Sequence, residues 1–159
     1  MPIQKITPCL WFDGRAEEAA AFYTSIFPDS KVVKVVRCGE GGPGPAGSAL
    51  TVDFQLQGQS FLALNGGPLF KFTEAISLIV NCETQEEVDE YWEKLSAGGG
   101  APIECGWLKD KFGLSWQIVP SVLPKFLGDP DSKKSGRVMK ALLKMKKLDI
   151  RALQEAYEG

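Results

Sequence analysis

The chain has 159 residues, enough for one domain or two small halves sharing a core, and its 44% hydrophobic and 24% charged residues are those of an ordinary globular protein. A net charge of -2 gives no general attraction to nucleic acid or to an anionic membrane, and no apolar run approaches the length of a bilayer. Histidine is absent, which removes Ser-His-Asp triads, Cys-His dyads and His-bearing metal cages. The cysteines at 9, 38, 82 and 105 form no C-x-x-C pair and lie in apolar or strand-like contexts, so reduced, buried thiols are expected rather than disulfides or a zinc site. The N-terminus lacks a basic segment followed by an apolar one, and the expected compartment is the cytoplasm.

In chain order, residues 3–12 predict a strand, which Asp13-Gly14 breaks to open a helix. Ala16, Ala19, Ala20, Tyr23, Ile26 and Phe27 fall on one face of that helix, and Glu17 and Glu18 sit in its first turn, where the dipole favours carboxylates. Pro28-Asp29 stops it. A β-branched strand at 31–38 leads into a Gly/Pro-rich loop at 39–47, long enough for a lid and equally suited to a plain connector. Residues 50–57 alternate strictly, with Thr51, Asp53, Gln55 and Gln57 opposite the apolar face, and Gly58-Gln59 turns them into a hairpin partner at 60–65.

The same order then repeats. A strand at 75–82 precedes the capping box Thr84-x-x-Glu87, and Val88, Tyr91, Trp92 and Leu95 give the stripe of a second helix that Gly98-Gly99-Gly100 terminates. Short extended pieces follow at 103–108 and 114–119. In the second, Leu114, Trp116 and Ile118 alternate with Ser115 and Gln117 after an Asp110/Gly113 turn, and Pro120 ends the ladder. The expectation is an α+β fold: a single domain over 1–159, with a first βαβββ module at 1–67, a second at 74–120 and a helical extension at 121–159. A half of that size buries one sheet face poorly on its own, so the two modules are expected side by side as a cupped mixed sheet with the helices outside.

In the extension, Val138, Ala141, Leu142 and Met145 make an apolar helical stripe, Asp149 caps a last short helix, and Leu153, Ala156 and Tyr157 continue the face. The eight basic residues against one acid between Lys133 and Arg151 read as a solvated face, with no nucleic-acid partner expected from an acidic whole. The stripe points to packing across the body or onto a second copy, and a homodimer is the expectation.

Several segments together resemble the PhnB-like members of the vicinal oxygen chelate superfamily (the glyoxalase/bleomycin resistance/dioxygenase group). They are Thr7-Pro8-x-Leu10-x-Phe12-Asp13-Gly14, Ala16-Glu17-Glu18-Ala19 with Phe22-Tyr23 and Phe27-Pro28, and Ala63-Leu64-Asn65-Gly66-Gly67. Asp110-x-x-Gly113-x-Ser115-Trp116-Gln117 and Met145-x-Lys147-x-Asp149-Ile150-x-x-Leu153 complete the set. The resemblance covers nearly the whole chain. It implies paired βαβββ modules, commonly a dimer, and a small-molecule pocket in the cup; many relatives carry the label of a demethylubiquinone methyltransferase. The superfamily's metal enzymes place His or Glu on the first, fourth, fifth and eighth strands, and alignment by motif sets Thr7, Asn65 (or Leu64), Ser77 and Gln117 there. These are poor first ligands for a divalent ion, so no metal and no cofactor is expected, and Asp53 is the carboxylate a metal site would need.

With Gln117 facing the cup, the expected ligand-binding set is Thr7, Cys9, Trp11, Asp53, Asn65, Phe70, Ser77, Trp107 and Gln117, a neutral, hydrogen-bonding pocket with aromatic walls. The reading that follows is a small-molecule binding protein of the sequestering or resistance kind. An enzyme, a lyase, isomerase or transferase using Asp53 as base or Cys9 as nucleophile, is the alternative. A methyltransferase is the third reading, but the glycines at 39–47 lead into a strand rather than the helix that the usual adenosyl-cofactor cradle requires.

Overall fold

The structure, a computed structural model, describes residues 4–159. The chain divides into two compact units, the first ending at Lys71 and the second running Phe72–Gly159.

The first unit holds β1 (Cys9–Phe12), α1 (Ala16–Ile26), β2 (Lys31–Arg37), β3 (Ala49–Leu56) and β4 (Gln59–Asn65) in a four-stranded mixed sheet of order β1-β4-β3-β2. β1 runs parallel to β4, and the β2–β3 and β3–β4 pairs are antiparallel. Five of the six expected stripe residues, Ala16, Ala19, Ala20, Tyr23 and Ile26, are buried on α1, and the sixth, Phe27, is buried just past it as the extended C-cap. The helix packs on β3 and β4, where Val52, Phe54, Phe61 and Ala63 are buried; the Tyr23 and Phe54 rings lie 6.1 Å apart, and Phe54 stacks on Phe61 at 5.4 Å between ring centres.

β1 is shorter than the periodicity predicts. The expected start at Ile3 lies outside the described residues, and among those described the strand begins at Cys9, just after Pro8, which has no N–H to donate. Upstream, a side chain does the work of a backbone: Gln4 Nε2 donates to Ser60 O at 3.1 Å, and Ser60 N donates to Gln4 Oε1 at 3.2 Å. The amide reproduces the paired donor and acceptor of a ladder rung without extended backbone.

The second unit holds β5 (Ser77–Cys82), α2 (Gln85–Ser96), β6 (Ala101–Pro102), β7 (Trp107–Lys109) and β8 (Ser115–Pro120), then α3 (Leu123–Leu127), α4 (Ser132–Leu142) and α5 (Ile150–Glu158). Its sheet has the order β5-β8-β7-β6, with β5 and β8 parallel. The first half of the capping box forms as expected, with Thr84 Oγ1 accepting from Glu87 N at 3.2 Å, whereas the Glu87 carboxylate reaches one residue past the cap and accepts from Glu83 N at 3.2 Å. The single extended piece expected over 103–108 is instead a hairpin. Cys105 and Gly106 take φ of 61° and 83°, which folds the chain back so that Ile103 N donates to Trp107 O at 2.8 Å.

The C-terminal stripe is buried inside the second unit. Leu123, Val138, Leu142, Leu148 and Leu153 form one cluster, with Met145, Phe126 and Tyr157 packed against it. Main-chain bonds from Cys105 N to Met145 O and from Gly106 N to Lys146 O, each 2.8 Å, fasten it to the hairpin turn, and Gln85 bridges Leu148 O and Ile150 N. Asp149 caps α5 through Ala152 N at 3.1 Å. These contacts account for the stripe without a second copy of the chain.

Candidate functional site

Strand alternation sorts the polar and aromatic candidates onto particular sheet faces. In the first unit, Cys9 pairs with Leu62, Trp11 and Thr51 with Leu64, and Asp53 with Leu62, so these six share the face turned away from α1. Leu62 and Leu64 belong to that face although their chemistry did not single them out. Trp11 is held on three sides. Its Nε1 donates to Gly67 O at 2.9 Å, Phe70 meets its ring edge-on at 4.9 Å, and a Cβ on Gly66 would stand 2.4 Å from the indole, so only glycine lets the ring lie flat there.

Two expected members stand elsewhere. Thr7 precedes β1, is exposed, and donates its hydroxyl to Gln4 O at 3.3 Å. Asn65 lies on the α1 side of β4, because a residue one step from Leu64 must face the other way. Its Oδ1 accepts from Ala16 N at 2.8 Å and its Nδ2 donates to Ala49 O at 3.0 Å, so the amide caps α1 and ties it to the start of β3.

In the second unit, Gln117 pairs with Ile79 and Trp107, and Ser115 with Ser77 and Lys109, which sets all six on the face away from α2. Gln117 Nε2 donates to Ser77 Oγ at 2.9 Å. Ser115 is fully buried, and its hydroxyl has no hydrogen-bond partner among the described residues. Lys109 makes an ion pair with Glu74 that holds the Glu74 carboxyl below the usual range.

These side chains do not fit a divalent metal. Ser77 and Gln117 offer a hydroxyl and an amide already engaged with each other, and the Glu74 carboxylate on the same unit is matched by Lys109. In the first unit both ends of the Asn65 amide are engaged with backbone. Neutral oxygens of this kind support carboxylate ligands around a hard cation and do not replace them. Nor do the glycines of the 39–47 loop suit an adenosyl cofactor, since the chain beyond them enters β3 and not a helix N-terminus.

Thiol chemistry is weak as well. Cys9 is exposed, where a buried thiol was expected, yet desolvation by its neighbours still pushes its thiol up, away from the reactive thiolate. Cys82 is fully buried, and desolvation followed by the charges of Glu87 and Glu83 pushes it up to about 12. A raised value in the folded state favours the folded state while the thiol stays protonated. That contribution is fully present below the ordinary thiol value of 9.0 and is lost as pH rises toward 12. Native protein at pH 8 is therefore expected to leave Cys82 unlabelled by a disulfide reagent that modifies it promptly in denaturant, and fast native labelling would contradict its burial.

A concavity of about 410 Å³ lies within the first unit, lined by Asp13, Glu17, Arg37, Ser48, Asn65 and Gly66 among others. Of the residues singled out from sequence as ligand-binding, only Asn65 borders it.

The family model described as 3-demethylubiquinone-9 3-methyltransferase matches residues 4–119. No curated protein matches the chain. Among solved structures, a PhnB protein from Bacillus cereus described by the same methyltransferase name is 42% identical, covering 74% of this chain and all of its own length at a TM-score of 0.69. A protein from Pseudomonas aeruginosa, 19% identical, covers 74% of this chain and 98% of its own at a TM-score of 0.61. The fosfomycin resistance protein FosX from Listeria monocytogenes, solved with Mn(II) and sulfate, is 17% identical, covers 80% of this chain and 97% of its own, and has a TM-score of 0.54. The last two share the fold, that of the glyoxalase/bleomycin resistance group, and at such identity no more than the fold. With the family model spanning most of the chain and the Bacillus cereus relative aligned over its whole length, this protein belongs to the PhnB-like, 3-demethylubiquinone-9 3-methyltransferase family.

Proposed function

We propose that the chain binds a small organic molecule on the sheet face of the second unit turned away from α2, and that it does so through hydrogen bonds and the Trp107 ring without a resident metal. The observation that carries this reading is the 2.9 Å bond between Ser77 and Gln117 on β5 and β8. It is a polar pair on a strand face where a structural role alone would be served by the apolar residues that fill the opposite side. The first unit, taken by itself, carries a comparable face, on which Trp11 and Phe70 give flat apolar surface and Asp53 and Thr51 polar groups. The raised thiol of Cys9 favours a binder over an enzyme that attacks through this residue.

The family's printed name supports a second reading, methyl transfer, and the two are separated by one set of measurements. Purified protein incubated with a metabolite extract and analysed by mass spectrometry is expected to retain one small molecule, which returns unchanged after long incubation. Gln117→Ala is expected to weaken its retention about tenfold, the worth of one hydrogen bond to a partly buried amide. Saturable micromolar binding of S-adenosylmethionine, or recovery of the ligand in methylated form, would replace the binding reading with the methyltransferase one.

A further inference from the structure

The first unit's concavity is separate in chemistry from either sheet face. The beginning of α1 contributes Asp13 and Glu17, the end of β2 contributes Arg37, and Pro43, Pro45 and Ala49 form an apolar wall. Its volume of about 410 Å³ lies in the range of pockets that take small organic ligands.

Charge decides what class of ligand fits. Arg37 is the one basic side chain among the lining residues, and it sits at a junction: Nη2 meets Glu17 Oε2 at 2.9 Å, Nη1 meets Glu17 Oε1 at 3.3 Å, and Nη1 also donates to Gly47 O at 3.2 Å. Both side chains of the Arg37–Glu17 pair are 50% exposed, the setting in which an ion pair contributes little to stability. Exchanging Glu17 for another carboxylate in the same fork is therefore close to neutral, and the guanidinium's planar donors suit either one. Asp13, the other lining acid, makes no hydrogen bond or ion pair among the described residues. A simple anion in this cavity would face two carboxylates, and a simple cation would face Arg37. A ligand carrying both charges matches both.

We infer that this cavity binds a small zwitterion of the α-amino-acid class, with its carboxylate taking the place of Glu17 on Arg37, its ammonium group on Asp13 and its side chain against Pro43 and Pro45. Glu17 then acts as an internal competitor for Arg37.

The test is a titration followed by amide NMR of the whole chain, with glycine, L-leucine and L-glutamate as zwitterions. The controls are 4-methylpentanoate, which lacks the ammonium group of leucine, and 3-methylbutylamine, which lacks its carboxylate. At least one zwitterion is expected to give saturable shifts confined to the amides around Asp13, Arg37, Ser48 and Gly66, with both half-molecules at least about tenfold weaker. Arg37→Gln and Asp13→Asn are each expected to weaken binding about tenfold or more, the measure of one charge-assisted contact, while an unchanged spectrum elsewhere reports an intact fold. Glu17→Gln is expected to tighten binding, because it releases Arg37. A purely structural role for the ion pair would predict the opposite. No saturable shift from any zwitterion at about 10 mM, equal binding by either half-molecule, or a Glu17→Gln protein no tighter than the parent overturns the inference.

Discussion

Asp110→Ala is expected to lower the free energy of unfolding by about 3–5 kcal/mol, read from urea denaturation. Asp110 is only 3% exposed, yet its carboxylate is densely used. Oδ1 accepts from Phe112 N at 2.8 Å and from Leu114 N at 3.1 Å, and Oδ2 accepts from the indole Nε1 of Trp116 at 2.9 Å. Its backbone closes the same turn, with Gly113 N donating to Asp110 O and Asp110 N donating to Leu114 O, each 2.9 Å. Alanine takes the carboxylate acceptor from three donors, two of them on residues that are themselves buried, and each such loss costs about 1–3 kcal/mol. Asp110→Asn is expected to fall between the two proteins, since one oxygen remains while a second N–H is set against the indole donor. A loss below about 1 kcal/mol for the alanine variant would mean that water reaches these donors and that the turn is far looser than its geometry. The turn leads directly into β8, so the same change is expected to displace Ser115 and Gln117 and with them any ligand held on that face.

Asp110 also marks a boundary of what sequence can tell. An Asp three residues before a Gly announces a turn, and that much is visible in the letters. That the carboxylate is buried and shared with an indole is a tertiary fact, since Trp116 follows six positions later and reads only as a strand residue. The elements with one dominant period were legible for the same reason that turn was, because their signal is local. Ala16, Ala19, Ala20, Tyr23 and Ile26 are the buried face of α1, and Thr84 with Glu87 closes the start of α2. What stayed hidden depends on contacts distant in sequence. Gln4 stands in for strand backbone against Ser60, 56 positions away, and nothing in its own neighbourhood signals this. A period of two assigns either Leu64 or Asn65 to a given face, and only the bonds from Asn65 to Ala16 and Ala49 decide which. Periodicity in the tail shows that a face is covered without showing by what, so one stripe served equally well for a dimer and for the cluster around Leu148 that the second unit contains. The Arg37–Glu17 pair joins residues 20 apart across the mouth of a cavity, and a charge count cannot see a cavity.

The run Gly98-Gly99-Gly100 shows how one sequence signal can stand for several physical demands, and it carries the second large effect. As a helix terminator the three are interchangeable letters, yet the structure asks different things of them. Gly98 has φ of 73°, and a Cβ there would meet only the flexible Lys111 side chain, at 3.3 Å. Gly98→Ala is expected to cost about 1 kcal/mol, the usual penalty for an L-residue in the left-handed region. Gly100 lies between the last residue of α2 and the last residue of β7. A Cβ on it would come within 2.6 Å of Ser96 O, 2.7 Å of Lys109 O and 2.8 Å of Ser96 Cα, all of them backbone atoms. No side-chain rotation relieves that overlap, so helix and strand must separate, and Gly100→Ala is expected to cost about 3 kcal/mol or more. Thermal melts of the two variants rank the effects directly, and similar melting temperatures would show that the α2–β7 contact yields at little cost. Because Trp107 and Lys109 stand on β7 beside Gln117 and Ser115, prising the strand from α2 also disturbs the polar face. Gly100→Ala is therefore expected to lose the retained small molecule along with stability, whereas Gly98→Ala keeps it.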